Sequence, residues 1–457
     1  MNIDRRRFLQ TLGAGASSAP AGAAAQQQAE RKPNLVLILA DDLGFADLGF
    51  QGSRDIPTPN LDRLARGGVR FTNGLVSHPF CSPTRAGIMT GRYQQRFGHE
   101  NNPKYDTADA VAGLPVEETT LPQVLKSAGY VTGHIGKWHL GAHPRFHPMK
   151  RGFDEMFGFL GGGHDYFKQE MNSFAREYLI PHQRDGRPVT ESEYLTDALG
   201  REAAAFVKRH KDHPFFLYLA FNAPHTPQQV SDKYLERFAS IEDERRRKYA
   251  AMVSAMDDAA GRALDAIRET GNEANTMVVF LSDNGGPTAV NGSNNAPYRG
   301  AKGQVYEGGI HVPFTLRWPA LLAAGKEYKE PVISLDILPT FASAASAKLP
   351  AKPLDGVDLL PYLSGMRGGS PHERLYWRTG GGTNWAVREG RYKLVQQGGG
   401  EAALYDLDND IGESRDVGAT LPGVRDRMLA AYSAWNRELI PPLFESPRPA
   451  NTKAGKK

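Results

Sequence analysis

The feature that most constrains this chain is a short apolar run that stops abruptly at paired acids. Leu35-Val36-Leu37-Ile38-Leu39-Ala40 leads straight into Asp41-Asp42. Such a continuous run suits a strand buried on both faces, the usual state in a parallel sheet. Phe215-Phe216-Leu217-Tyr218-Leu219-Ala220-Phe221 and Met277-Val278-Val279-Phe280-Leu281 read the same way, and the second continues through Ser282 into Asp283-Asn284.

Helical patterns separate these runs. Thr58-Pro59-Asn60-Leu61-Asp62-Arg63-Leu64-Ala65 opens with a capping residue and a proline at the first helical position. Residues 194–211 and 245–269 carry longer amphipathic patterns. Strands alternating with helices predict a mostly parallel sheet sandwiched by helices. After about Gly365 the texture changes. Leu375-Tyr376-Trp377-Arg378, Trp385-Ala386-Val387-Arg388, Tyr392-Lys393-Leu394-Val395 and Ala403-Leu404-Tyr405-Asp406-Leu407 are strand-like, with glycine-rich turns between some of them. They predict a small antiparallel sheet, followed by a last helix over 424–438.

Composition narrows the function classes. In 457 residues, hydrophobic side chains make up 40% and charged ones 23%, which suits a globular chain with a real core. The net charge is +4 and no basic block stands out, so a nucleic-acid footprint is not expected. Arg5-Arg6-Arg7-Phe8-Leu9, a mildly apolar stretch and Ala23-Ala24-Ala25 resemble a twin-arginine export signal over 1–25, although Asp4 stands where that motif carries Ser or Thr. The expectation is a periplasmic or secreted protein, served by the twin-arginine translocase and without stable membrane insertion, since no later apolar run reaches the ~18 residues of a spanning helix.

In open α/β sheets, ligands bind beyond the carboxyl ends of the strands. Two buried strands here end in hard oxygen ligands. Adjacent carboxylates at such a place repel each other unless a cation or basic groups compensate. Three carboxylates and one amide suit calcium or magnesium rather than zinc. Cys81-Ser82-Pro83-Thr84-Arg85 and the following Ala86-Gly87-Ile88-Met89-Thr90-Gly91-Arg92 read as a tight turn feeding a short helix, a location that favours anions. Cys81 is the only cysteine, which excludes an internal disulfide framework.

Cys-x-Pro-x-Arg continued by a helix and Thr-Gly-Arg, preceded by Asp41-Asp42-Leu43-Gly44, resembles the type I sulfatase signature. Gly136-Lys137-Trp138-His139-Leu140-Gly141 is similar to that family's second signature. Gly152-Phe153-Asp154-Glu155-Met156-Phe157-Gly158-Phe159, Asn222-Ala223-Pro224-His225-Thr226-Pro227, Ser282-Asp283-Asn284-Gly285-Gly286 and Arg299-Gly300-Ala301-Lys302-Gly303 running into Glu307-Gly308-Gly309 also match. The likeness spans about Pro33 to Glu438, with motifs in the family's order. It implies the alkaline-phosphatase-like α/β fold with a smaller C-terminal α+β subdomain. The expected division is a catalytic domain over 33–365, a subdomain over 366–446 and a disordered tail over 447–457.

The resemblance also implies roles. Cys81 would be oxidised to formylglycine by a maturation enzyme, and its hydrate would be the nucleophile. Asp41, Asp42, Asp283, Asn284 and the modified Cys81 would hold Ca2+, with Mg2+ as the other option. Arg85 would hold the diol oxygen. Lys137 and Lys302 would neutralise sulfate oxygens, His139 would take the second diol proton, and His225 would be the general acid for the leaving alcohol. His164, in Gly161-Gly162-Gly163-His164-Asp165-Tyr166, is expected to reach the substrate, with Arg378 and Asn384 as further candidates. The implied reaction is hydrolysis of sulfate monoesters, with sulfated carbohydrate as the expected substrate. Two alternatives stay open: a phosphate or phosphonate ester hydrolase on the same fold, and a non-catalytic carbohydrate-binding relative. The presence of every expected catalytic side chain argues against the second.

Overall fold

The computed structural model describes residues 31–167 and 180–446. The expected export segment, 1–25, and the expected tail, 447–457, lie outside the described residues.

The apolar runs become the centre of a ten-stranded sheet. Its strands are β1 (Asn34–Ala40), β2 (Val69–Phe71), β4 (Val131–Lys137), β5 (Glu155–Phe159), β6 (His182–Arg184), β7 (Arg187–Val189), β8 (Phe215–Ala220), β9 (Thr276–Ser282), β10 (Phe314–Arg317) and β11 (Lys326–Tyr328). The spatial order is β11-β2-β10-β9-β1-β8-β4-β5-β6-β7. From β9 to β5 every pairing is parallel, while antiparallel pairings flank that centre on both sides. Strands β3 (Gly74–Leu75) and β12 (Val332–Ile333) form a separate short parallel ladder.

Side chains alternate across β1, as the two-residue period of a strand requires. Leu35, Leu37 and Leu39 enter one core, with residues of the Cys81–Thr90 and Ile337–Ala344 helices. Val36, Ile38 and Ala40 enter the other, with the Leu195–Arg209 and Glu244–Glu269 helices. Helices therefore cover both faces of the sheet, as the alternation of runs predicts. Burying each large aliphatic side chain contributes roughly 1.5–3 kcal/mol. Several such residues along β1 and β9 offset the several kcal/mol that each dry carboxylate at their ends costs.

The C-terminal strands also form as read: β13 (Arg374–Thr379), β14 (Asn384–Glu389), β15 (Tyr392–Gln396) and β16 (Ala403–Asp406) make an antiparallel meander. The last helix is Pro422–Asn436. Leu375, Trp377, Trp385 and Leu394 of this sheet belong to the same hydrophobic core as β1, so the small sheet shares a core with the large one. Among the described residues no helix is long and apolar enough to cross a membrane.

Candidate active site

β1 and β9 are neighbours in register, with Ala40 opposite Ser282. Their next residues therefore emerge side by side at the same carboxyl edge of the sheet. One ligand atom from each of Asp41, Asp42, Asp283 and Cys81 lies within 4.8 Å of all the others, and all four residues are buried. Cys81 opens its helix, and its Sγ donates to Asp41 Oδ1 at 3.4 Å. The fourth strand-end residue joins them: Asn284 Nδ2 donates to Asp42 Oδ1 at 2.7 Å, and Asn284 Oδ1 is buried without a hydrogen-bond partner. A desolvated amide oxygen with no donor is costly unless something positive faces it. The five expected ligands thus come together, and an oxygen-rich set of this kind fits a hard divalent cation.

Three cations close on the acids. Arg85 Nη2 lies 2.8 Å from Asp283 Oδ2 and 3.7 Å from Asp41 Oδ2, and Arg85 Nη1 donates to the Lys137 carbonyl at 3.0 Å. Lys137 Nζ contacts Asp41 Oδ2. Lys302 Nζ lies 2.6 Å from Asp42 Oδ1 and stands nearer the solvent, its side chain 16% exposed against 0% for Lys137 and Arg85.

The resulting electrostatics split the acids. Burial and the neighbouring Asp41 charge raise Asp283 to about 6, against the pull of Arg85 and Lys137. Burial would also raise Asp42, but Lys302 and His225 outweigh it and bring it to about 2. Burial, then Asp283 and Asp41, push the Cys81 thiol far up, so an unmodified Cys81 is held as a neutral, poorly nucleophilic thiol.

The two histidines flank this cluster. His225 Nδ1 faces the Thr226 carbonyl at 2.6 Å, and Nε2 lies 3.6 Å from Asp42 Oδ2. His139 is held in a left-handed conformation, φ 58, and Asp42 likewise at φ 63. Such strain costs of order 1–3 kcal/mol and persists only where the surroundings impose it. Here Ser82 Oγ donates to the His139 carbonyl at 2.5 Å and the His139 amide donates to the Leu160 carbonyl at 3.2 Å. A side chain at Gly162 would come within 2.7 Å of His139 Nε2, so the glycine run lets the chain pass against this ring. Burial, with Lys137 and Arg85 nearby, holds His139 well below its usual value.

The three residues expected to contact substrate are each engaged within the protein. His164 is fully buried, its ring nitrogens facing the Asp165 and Ile180 carbonyls at 2.6 Å each, and its ring packs on His182. Its polar atoms are spent on the backbone. Arg378 forms a buried ion pair with Glu100 at 2.6 Å and also donates to Asn436 Oδ1 and the Ile440 carbonyl. Asn384 bonds Thr379 Oγ1, Gln397 Nε2 and the Gly398 amide, which ties the β13–β14 turn to the end of β15.

Other contributors gave no signal of their own in the sequence. Tyr249 OH accepts from the Gly44 amide and donates to Asp47, and Asn291 Nδ2 donates to the Asp42 carbonyl; both shape the Asp41-Asp42 turn.

Comparison with known proteins agrees with this geometry. The sulfatase family model matches residues 33–347, and the model for the C-terminal region of N-sulphoglucosamine sulphohydrolase matches residues 301–420. The chain is 35% identical to the N-acetylgalactosamine-6-sulfatase of Canis lupus familiaris, over 84% of this chain and 74% of the relative. It is 35% identical to arylsulfatase A of Homo sapiens, over 88% of this chain and 86% of the relative. A solved structure, Ps i-CgsB in complex with k-i-k-neocarrahexaose, superposes with a TM-score of 0.86 and 39% identity, covering 91% of this chain and 95% of that one. With its acids, cations and Cys81 gathered at one sheet edge, the chain belongs to the type I sulfatase family of the alkaline-phosphatase-like superfamily and is a sulfuric ester hydrolase.

Proposed function

We propose that this enzyme releases inorganic sulfate from sulfated carbohydrates through a formylglycine formed at Cys81, with Ca2+ as the preferred metal and Mg2+ as the other candidate. The observation that carries the reading is the convergence of Asp41, Asp42, Asp283 and Cys81 within 4.8 Å, beside the unpartnered Asn284 Oδ1. Three carboxylates, an amide oxygen and the residue-81 side chain are the donors that would hold the cation.

A cation bound there supplies positive charge for the sulfate oxygens and lowers the pKa of an adjacent hydroxyl. Formylglycine, as its hydrate, supplies two hydroxyls on one carbon, one to attack sulfur and one to expel sulfate. The chain's own residues do the rest. Arg85 neutralises Asp283 and fixes the residue-81 end of the site. Lys137, fully buried, and Lys302, nearer the opening, are placed to neutralise sulfate oxygens, and Lys302 is the one able to follow the departing oxygen. Nδ1 of His225 donates to the Thr226 carbonyl, which orients the ring and leaves Nε2 toward the site to carry the proton for the leaving alcohol. Nδ1 of His139 is buried without a hydrogen-bond partner, and His139 is the residue assigned to take the second hydroxyl proton.

A carbohydrate substrate is supported by relatives named for N-acetylgalactosamine 6-sulfate and by the solved relative that holds k-i-k-neocarrahexaose. The arginine-led segment before Ala25 supports export by the twin-arginine translocase to the periplasm or beyond. A formylglycine-generating enzyme is the required maturation partner.

The deciding experiment is mass analysis of the peptide containing residue 81, made with and without the maturation enzyme, alongside turnover of a sulfated sugar and its phosphate counterpart. Activity that tracks the aldehyde content and favours the sulfate supports the reading. Full activity with an intact thiol overturns the mechanism, and preference for the phosphate overturns the substrate class.

A further inference from the structure

The loop that carries Lys302 is gripped at its root by residues from the small C-terminal sheet. Residues 299–309 close on themselves, the Gly308 amide donating to the Arg299 carbonyl at 2.7 Å. A side chain at Gly308 would come within 2.3 Å of the Gly300 carbonyl, so only glycine permits the closure. The tip of the loop touches the nucleophile segment, with the Gly303 amide donating to the Pro79 carbonyl at 2.9 Å.

At the root, Glu307 is buried among charges from elsewhere in the chain. Lys393 Nζ, fully buried on β15, lies 2.8 Å from Glu307 Oε1 and 3.0 Å from Glu413 Oε1. Glu413 Oε2 accepts from the Glu307 amide at 2.7 Å, and the Glu413 carbonyl accepts from Arg299 Nη1 at 2.6 Å. Arg388 stands opposite Lys393 on β14, with Nη1 3.7 Å from Glu307 Oε2. Like charges directly opposite on neighbouring strands repel, so this pair is stable only because the carboxylates lie between. One further bond reaches the loop midway: the Val305 amide donates to Gln397 Oε1 at 2.9 Å. Both ends of the loop and its middle are therefore fastened to 393–413, and Lys302 is the residue it delivers to Asp42.

We propose that Lys393, clamped between Glu307 and Glu413, is a positioning residue that holds Lys302 in register with the reacting ester. The inference rests on the reading of Lys302 as the group that follows the departing oxygen. Misplacing a catalytic group by about 1 Å can cost on the order of 10²-fold in rate. A displaced Lys302 would be felt most where the leaving alcohol needs most help, whereas general loosening of the fold lowers all substrates alike.

The test measures kcat/KM and kcat on a series of aryl sulfates whose phenols rise in pKa, for the mature enzyme and the variants Lys302→Ala, Lys393→Met, Gln397→Ala and Lys302→Ala/Lys393→Met. Lys393→Met is expected to steepen the dependence on leaving-group pKa in the same direction as Lys302→Ala, and to add little once Lys302 is gone, because coupled residues are non-additive. Gln397→Ala leaves the ion cluster whole and is expected to show the same signature more weakly, which keeps the proposal testable if Lys393→Met does not fold. If Lys302→Ala steepens the slope while Lys393→Met and Gln397→Ala leave it unchanged, or if the Lys302 and Lys393 effects simply add, positioning by Lys393 is wrong. If Lys302→Ala itself leaves the slope unchanged, the reading of Lys302 fails.

Discussion

Arg85 and Asp283 share one carboxylate oxygen twice over: Nε at 2.9 Å and Nη2 at 2.8 Å both meet Asp283 Oδ2, with both side chains fully buried. Removing one partner of such a pair strands a dry charge, which costs roughly 3–5 kcal/mol. Arg85→Ala is therefore expected to lose activity and to lower the denaturant midpoint of the mature enzyme substantially. Chemical denaturation checks this, and a midpoint within error of the parent would show that Arg85 does not compensate Asp283.

Cation removal should act on stability as well as turnover. A ligand bound to the folded state alone stabilises it by RT ln(1 + [L]/Kd). Chelation is expected to abolish hydrolysis and lower Tm, and graded addition of Ca2+ should raise both together. A Tm indifferent to calcium would argue that Asp41, Asp42, Asp283 and Asn284 are held by Arg85 and the lysines alone.

Cys81→Ser offers one hydroxyl where the proposed formylglycine hydrate would offer two. Attack can occur, but expulsion of sulfate cannot follow by collapse to an aldehyde. The variant should release at most one equivalent of alcohol and carry sulfate on Ser at position 81, visible by intact mass. Continued turnover would refute the need for a second hydroxyl.

His372 Nε2 sits 2.9 Å and 3.0 Å from the two oxygens of buried Asp336. Burial alone would lower its pKa, but the Asp336 charge outweighs it and raises the histidine above 6.5. The folded state then binds the proton more tightly than the unfolded one. This contribution is fully present below pH 6.5 and is lost as pH rises through the folded value. The Tm gap between the parent and His372→Gln is expected to be largest near pH 6 and to shrink toward pH 8. A gap that grows with pH would reverse the assignment.

The sequence made the centre of the sheet readable because β1, β8 and β9 are apolar along almost their whole length. It did not reveal β4 as a strand. Val131–Lys137 carries Thr132, His134 and Lys137, so no apolar period survives; Thr132 and Lys137 find partners distant in sequence, Asp154 and Asp41. The acids were legible for a local reason: each pair directly follows a buried strand. The enclosure of His164 was not legible for the opposite reason, since a glycine run suggests an open loop while the Asp165 and Ile180 carbonyls enclose the ring. The Lys393 clamp joins Glu307, Lys393 and Glu413 from three separate stretches, and no spacing rule links residues that meet only in the folded chain.

The register that sets Ala40 beside Ser282 also sets a schedule. Asp42 and Asp283 are 241 residues apart, so the acidic end of the sheet does not exist until β9 has emerged from the ribosome and docked on β1. In the folded chain Cys81 is buried, at 1% exposure. On the proposed formylglycine reading, a maturation enzyme that must reach this sulfur would work on the nascent or unfolded polypeptide, and a molecule that folded first would keep its thiol.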